Sequence, residues 1–156
     1  MSWDEWVRTV EVEPSLYAAD FSRLGVQVEV LLRAGCRVFH WDVGDGHFIQ
    51  PVTMGPIVLE WIAPLVHREG GVLDCHLMVE GPERHIPQFA EAGADSVTVH
   101  FETCPNLPDV VDASGLQVEP LGDNWPQFRH PRRPEFLLTQ PHVHGTTGFF
   151  IARLRT

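Results

Sequence analysis

The chain has 156 residues, 44% of them apolar, and a formal net charge of −10. That length suits one domain with a core of its own, while the charge argues against nucleic acid or an anionic membrane surface as a partner. All eleven basic residues are arginine, which excludes lysine Schiff-base catalysis and a Walker-type phosphate lysine.

No apolar run reaches the roughly eighteen residues needed to cross a bilayer. The N-terminus shows neither a basic n-region nor an apolar h-region, so no signal peptide is read there. Three cysteines without CxxC spacing fit reduced thiols in the cytoplasm.

Residues 9–13 alternate and stop at Pro14-Ser15, the pattern of a short strand. Over residues 20–34, Phe21, Leu24, Val28, Leu31 and Leu32 recur at helical spacing. Asp20 stands where a cap belongs and Gly35 where a helix ends. Residues 36–42 read as a second strand. Gly55-Pro56 opens a second helix to about residue 68, with Pro64 as a point where it kinks or ends. Residues 72–77 form a third strand. Pro82 suits the first position of a helix reaching Ala92, interrupted by Pro87. Residues 96–100 are a fourth strand, 107–113 a fourth helix, and 116–119 the start of a fifth strand.

Strands alternating with helices imply a parallel sheet with right-handed crossovers, either a doubly wound sheet or a (β/α) barrel. No GxGxxG follows the first strand, which weighs against a dinucleotide-binding fold. Ser15, His40, Asp42, His76 and His100 fall at strand C-termini, the functional edge of both architectures. Residues 1–103 carry sixteen acidic and six basic residues, whereas 104–156 carry five of each and seven of the thirteen prolines. The division expected is 1–120 as the α/β part and 121–156 as an irregular tail.

His40 and Asp42 are two apart on a strand and therefore share a face; so do Asp74, His76 and Met78. In adjacent parallel strands, His40, Asp42 and His76 would converge. Two histidines and a carboxylate match a divalent metal site with open positions, and such an ion would act as a Lewis acid on an enediolate. From spacing alone, a capped strand end with no metal fits as well. His76 by itself reads as a core histidine and Met78 as core packing. Asp45-Gly46 reads as a loop turn, and His100 and Glu102 as a solvated loop end. His130, His142 and His144 fit no metal spacing.

Several segments together resemble the ribulose-phosphate 3-epimerase family. They are Pro14-Ser-Leu-Tyr-Ala-Ala-Asp-Phe21, His40-Trp-Asp-Val-Gly-Asp-Gly-His-Phe48, Gly55-Pro56, Asp74-Cys-His-Leu-Met78, Pro82-Glu-Arg84, and Ala92-Gly-Ala-Asp95 followed by Val99-His100. The resemblance covers about residues 9–120. It implies a TIM-type (β/α)₈ barrel, of which the chain holds roughly the first half. It implies an isomerase of pentose-phosphate metabolism that interconverts ribulose 5-phosphate and xylulose 5-phosphate. In that family two aspartates on opposite faces of the substrate exchange the C3 proton, aided by a metal ion. The resemblance makes His40, Asp42 and His76 three of four metal ligands, with Asp42 also one of the two acid/base aspartates. Ser15, His76 and Met78 become substrate contacts. The ion would be zinc, iron, manganese or cobalt, the partner a ketose phosphate, and a homo-oligomer is compatible.

The chain departs from the family pattern at Gly44, where methionine is usual, and at Ile49-Gln50-Pro51, where valine-proline-asparagine is usual. Both changes are expected to loosen the pocket. The sixth-strand loop, the seventh-strand aspartate-glycine-glycine segment with the fourth ligand and second acid/base aspartate, and the last phosphate loop have no counterpart. Resemblance stops after Gly115-Leu-Gln-Val118, and a frame change or mis-called gene end would give such a tail. Three readings stay open. One is the epimerase, or a relative acting on another ketose phosphate such as allulose 6-phosphate. The second is a catalytically inactive form retaining metal or partner binding. The third, a decarboxylase of the same superfamily, is weakened by the absent lysine. A half barrel leaves a sheet edge open and apolar strand faces uncovered, so marginal stability or association is expected.

Overall fold

The computed structural model describes residues 12–104 continuously, and beyond them 110, 117–119, 126–129, 137–138, 150–151 and 153–155. The chain divides into two compact units. One comprises Met1–Glu80 with Gln88–Val99, the other Gly81–Pro87 with His100–Thr156.

The first unit is a three-stranded parallel sheet with helices in its connections. Its elements are α1 (Leu24–Arg33), β1 (Val38–Gly44), α2 (Pro56–Arg68), β2 (Val72–Met78), α3 (Ile86–Glu91) from Gln88 onward, and β3 (Ser96–Val99). The strand order is β1-β2-β3. The expected first strand is represented among the described residues by a parallel bridge of Ser15 to His40 and by the His40 N–H donating to the Pro14 carbonyl at 3.1 Å. The pairing thus falls just after the stretch expected, of which residues 9–11 lie outside the described residues.

Local chemistry explains the helix boundaries. Asp20 accepts from the Ser22 N–H at 3.0 Å and caps a 3₁₀ turn, Phe21–Arg23, that leads into α1. At the other end, the Gly35 N–H reaches the Leu32 carbonyl and the Cys36 N–H the Leu31 carbonyl, both at 3.0 Å. With φ at 99° on Gly35, this is a Schellman cap, and a side chain there would be strained. Helix α2 starts with Pro56 after Gly55 and runs through Pro64 to Arg68 without ending. The helix expected over 82–92 is instead split into a 3₁₀ turn, Pro82–Arg84, and α3. Pro87 accounts for the split: it lacks the N–H that a continuous helix would donate to the Glu83 carbonyl, and its ring crowds that carbonyl.

The two faces of the sheet differ. Phe39, Trp41, Leu73, Cys75 and Leu77 are wholly buried on one face. Helix α2 packs on β2 and also against α1, and Val28, Leu59 and Val66 of these helices are fully buried. On the opposite face the half-buried residues alternate with these. Burial also lifts the Cys75 thiol far above its ordinary range, so it stays protonated.

In the second unit, β4 (Gln117–Glu119) pairs antiparallel with β7 (Arg153–Arg155), and β5 (Leu137–Leu138) with β6 (Phe150–Ile151). No helix among the described residues is long and apolar enough to cross a membrane.

Candidate functional site

The pairing register of β1 with β2 builds the polar face in layers. Val38 lies opposite Val72, His40 opposite Asp74, Asp42 opposite His76, and Gly44 opposite Met78. Strand β3 adds Ser96 beside Asp74 and Thr98 beside His76. The motif His-x-Asp on one strand and Asp-x-His on the next thus sets each imidazole across from a carboxylate. All four side chains are half-buried.

The three residues expected to converge do so. His40 Nε2 lies 3.2 Å from Asp42 Oδ1, and His76 Nδ1 lies 3.6 Å from the same oxygen. The two rings are 5.7 Å apart, centre to centre. One donor atom from each of His40, Asp42 and His76 falls within 4.8 Å of the others. A metal held at bonds of roughly 2.0–2.2 Å with tetrahedral angles separates its donors by about 3.4 Å. The observed separations bracket that value, and two imidazoles with one carboxylate suit zinc, iron, manganese or cobalt. The residues present therefore fit a divalent ion.

Ser15 takes a more specific place than a generic substrate contact. Its Oγ donates to Asp42 Oδ2, which leaves Oδ1 facing the two rings. Met78 lies on the polar face in the layer above His76, beside Gly44.

Sequence reasoning gave no site role to four neighbours: Asp74, Ser96, Glu13 and Thr53. Asp74 Oδ2 is 3.0 Å from His40 Nδ1, and Asp74 Oδ1 accepts from Ser96 Oγ. Glu13 lies farther from the same nitrogen, at 3.9 Å. Thr53 Oγ1 donates to the Asp42 carbonyl and accepts from the Gly44 N–H, both at 2.7 Å, pinning the strand end. The mirrored spacing of Asp74 and His76 was the available signal for Asp74. Nothing in the sequence points to Thr53.

Electrostatics follow from this arrangement. The hydrogen bond with Asp74 raises the His40 pKa; burial opposes it, and the charges of Asp42, Asp74 and Glu13 add to it, for a net rise. Burial pulls the Asp74 carboxyl up, but hydrogen bonds from His40 and Ser96 and the charges of His40 and His76 outweigh it, so the net is a lowering.

Asp45 forms the loop turn expected of it. Its Oδ1 accepts from the N–H groups of His47 (2.8 Å) and Phe48 (2.9 Å), and its Oδ2 from that of Glu80 at 2.8 Å. At Gly44 the expected loosening does not occur. A Cβ there would meet the Pro51 carbonyl oxygen at 2.6 Å and Ile49 Cδ1 at 2.7 Å. Ile49 and the loop backbone occupy the volume a side chain at residue 44 would need. In the second unit His100 Nδ1 is 3.6 Å from Glu102. His130, His142 and His144 lie outside the described residues.

Comparison with known proteins identifies the family. Residues 11–116 match the model of the ribulose-phosphate 3 epimerase family. A ribulose-phosphate 3-epimerase of Bacillus subtilis is 44% identical over 98 residues, which are 63% of this chain and 44% of that protein. One from Synechocystis is 42% identical over 127 residues, 81% of this chain and 53% of that protein. The chloroplastic ribulose-5-phosphate-3-epimerase of Arabidopsis thaliana is 44% identical over 91 residues, 58% of this chain and 31% of that protein. The chain spans about half or less of the length of these relatives, and the match covers β1, β2 and β3 with every residue of the His/Asp face. The chain belongs to the ribulose-phosphate 3-epimerase family.

Proposed function

We propose that this sheet carries the metal-binding and first proton-transfer part of a ribulose-phosphate 3-epimerase site, within a (β/α) barrel architecture. The reaction is epimerisation at C3 between D-ribulose 5-phosphate and D-xylulose 5-phosphate. One observation carries the reading: the register sets Asp42 opposite His76 and beside His40, with donor separations of 3.2 and 3.6 Å.

His40, Asp42 and His76 would hold the ion. When bound, it would supply Lewis-acid polarisation of the substrate oxygens as negative charge develops next to the carbonyl. Asp42 moves the C3 proton on its side of the substrate. Ser15 holds the Asp42 carboxylate in place through Oδ2, and Thr53 fixes the backbone that carries it. Met78, on the same face, lines the reacting end of the ketose phosphate. Inversion at C3 requires a second acid/base group on the opposite side of the substrate.

A second reading is a form that binds metal without turnover. An epimerase assay with added Mn²⁺, Zn²⁺ or Fe²⁺, run beside a metal titration, separates the two. The epimerase reading expects turnover that falls ~10²–10⁴-fold in Asp42→Asn, the usual range for losing a general acid/base. Metal binding with no turnover supports the second reading. Neither turnover nor metal binding sinks both.

A further inference from the structure

We propose that Asp74 is a positioning residue: it fixes the His40 ring so that Nδ1 carries the proton and Nε2 presents its lone pair toward Asp42 and His76. The inference rests on the reading that this face takes a metal ion, and its test separates the two.

The geometry defines the roles. Asp74 Oδ2 lies 3.0 Å from His40 Nδ1, and Asp74 Oδ1 accepts from Ser96 Oγ, so both carboxylate oxygens are engaged and the group cannot swing away freely. An ionised carboxylate only accepts hydrogen bonds, so the nitrogen it faces carries the proton. In a neutral imidazole the other nitrogen is then the lone-pair donor. That nitrogen, Nε2, is 3.2 Å from Asp42 Oδ1. That lone pair is thereby available to an ion held between Nε2 and Asp42 Oδ1. Glu13, at 3.9 Å from Nδ1, is beyond hydrogen-bond reach and does not set the ring. Asp74 comes from β2, Ser96 from β3 and His40 from β1. The orientation therefore depends on all three strands being in register.

The test uses the 156-residue chain, ¹⁵N-labelled and metal-free, at a pH where His40 is neutral. Long-range ¹H–¹⁵N correlation spectra report which ring nitrogen is protonated. The expected result is Nδ1–H for His40 in the wild type and in Glu13→Ala, and a shift toward Nε2–H in Asp74→Ala. Zinc affinity in a chelator competition is expected to fall about 10–100-fold in Asp74→Ala, the usual cost of removing an outer carboxylate from a ligating histidine. Asp74→Asn is isosteric, keeps an acceptor oxygen for Nδ1–H, and is expected to lie between. If Asp74→Ala loses the dispersed spectrum of a folded chain, Asp74→Asn and Ser96→Ala carry the comparison. An unchanged His40 tautomer in Asp74→Ala, or in Asp74→Asn where Asp74→Ala does not fold, overturns the proposal, as does unchanged zinc affinity in that variant where the wild type binds zinc. A wild type that binds no zinc but shows the fixed tautomer, released in Asp74→Ala, supports the positioning role and overturns the metal reading alone.

Discussion

The two faces of the three-stranded sheet are made from alternate residues of the same strands, and different forces hold them. On one face Phe39, Trp41, Leu73, Cys75 and Leu77 are all 0% exposed. Each large side chain removed from water there contributes roughly 1.5–3 kcal/mol. On the other face His40, Asp42, Asp74 and His76 are half-buried, with Asp74 hydrogen-bonded to His40 and both rings facing Asp42. Desolvation offsets much of what such pairs contribute to stability. The apolar face therefore stabilises the strands, while the polar face can keep donor atoms that are not optimised for stability. Parallel sheets usually bury both faces; here the polar one is arranged in paired layers above the Val38–Val72 floor.

Truncating the apolar face gives the largest effect. Leu73→Ala is expected to cost ~2–5 kcal/mol, read as a drop in the urea midpoint with an unchanged slope. His76→Ala on the polar face should move the midpoint far less. Equal losses from the two would break the contrast between faces. A smaller effect is expected at the rim. Gly44→Met must displace Ile49 or the Pro51 carbonyl, and overpacking of this kind costs about 1–3 kcal/mol. The same midpoint measures it, with the Ile49 methyl shifts as a local reporter. A neutral outcome would mean that the 45–53 loop gives way freely.

The smallest effect concerns acid. Burial pulls the Asp45 carboxyl up, but the N–H groups of Glu80, His47 and Phe48 outweigh it, and the net pKa is lowered from 3.8. A lowered folded-state value means that the tie contributes stability above the ordinary carboxylate range and loses it as pH falls through the folded value. In an NMR titration the amide signals of His47, Phe48 and Glu80 should move together below pH 3.8. Independent midpoints for the three would show that Asp45 does not hold them jointly.

Much of this arrangement was legible in the residues. The two-residue period placed His40 with Asp42 and Asp74 with His76 on one face, and the helical spacing of Leu24, Val28 and Leu32 marked the side of α1 that is buried. The glycine and proline signals located most element ends. Over 82–92 the apolar pattern overstated the helix, because the missing N–H and the ring of Pro87 outweighed it. The link from Ser15 to Asp42 spans 27 residues and that from Thr53 to Asp42 spans 11. No local period encodes either.

The sequence by itself determined which side chains alternate, where helices cap and stop, and, through its motifs, the family. Backbone sterics and side-chain periodicity act over a few residues, so they can be read along the chain. Only the tertiary structure decided that Asp42 meets His76 rather than a neighbour, that Asp74 reaches His40 Nδ1, and that Ile49 fills the space above Gly44. Strand register and loop return are set by pairing and packing between distant segments, and a slip of one residue would turn every one of these side chains to the opposite face.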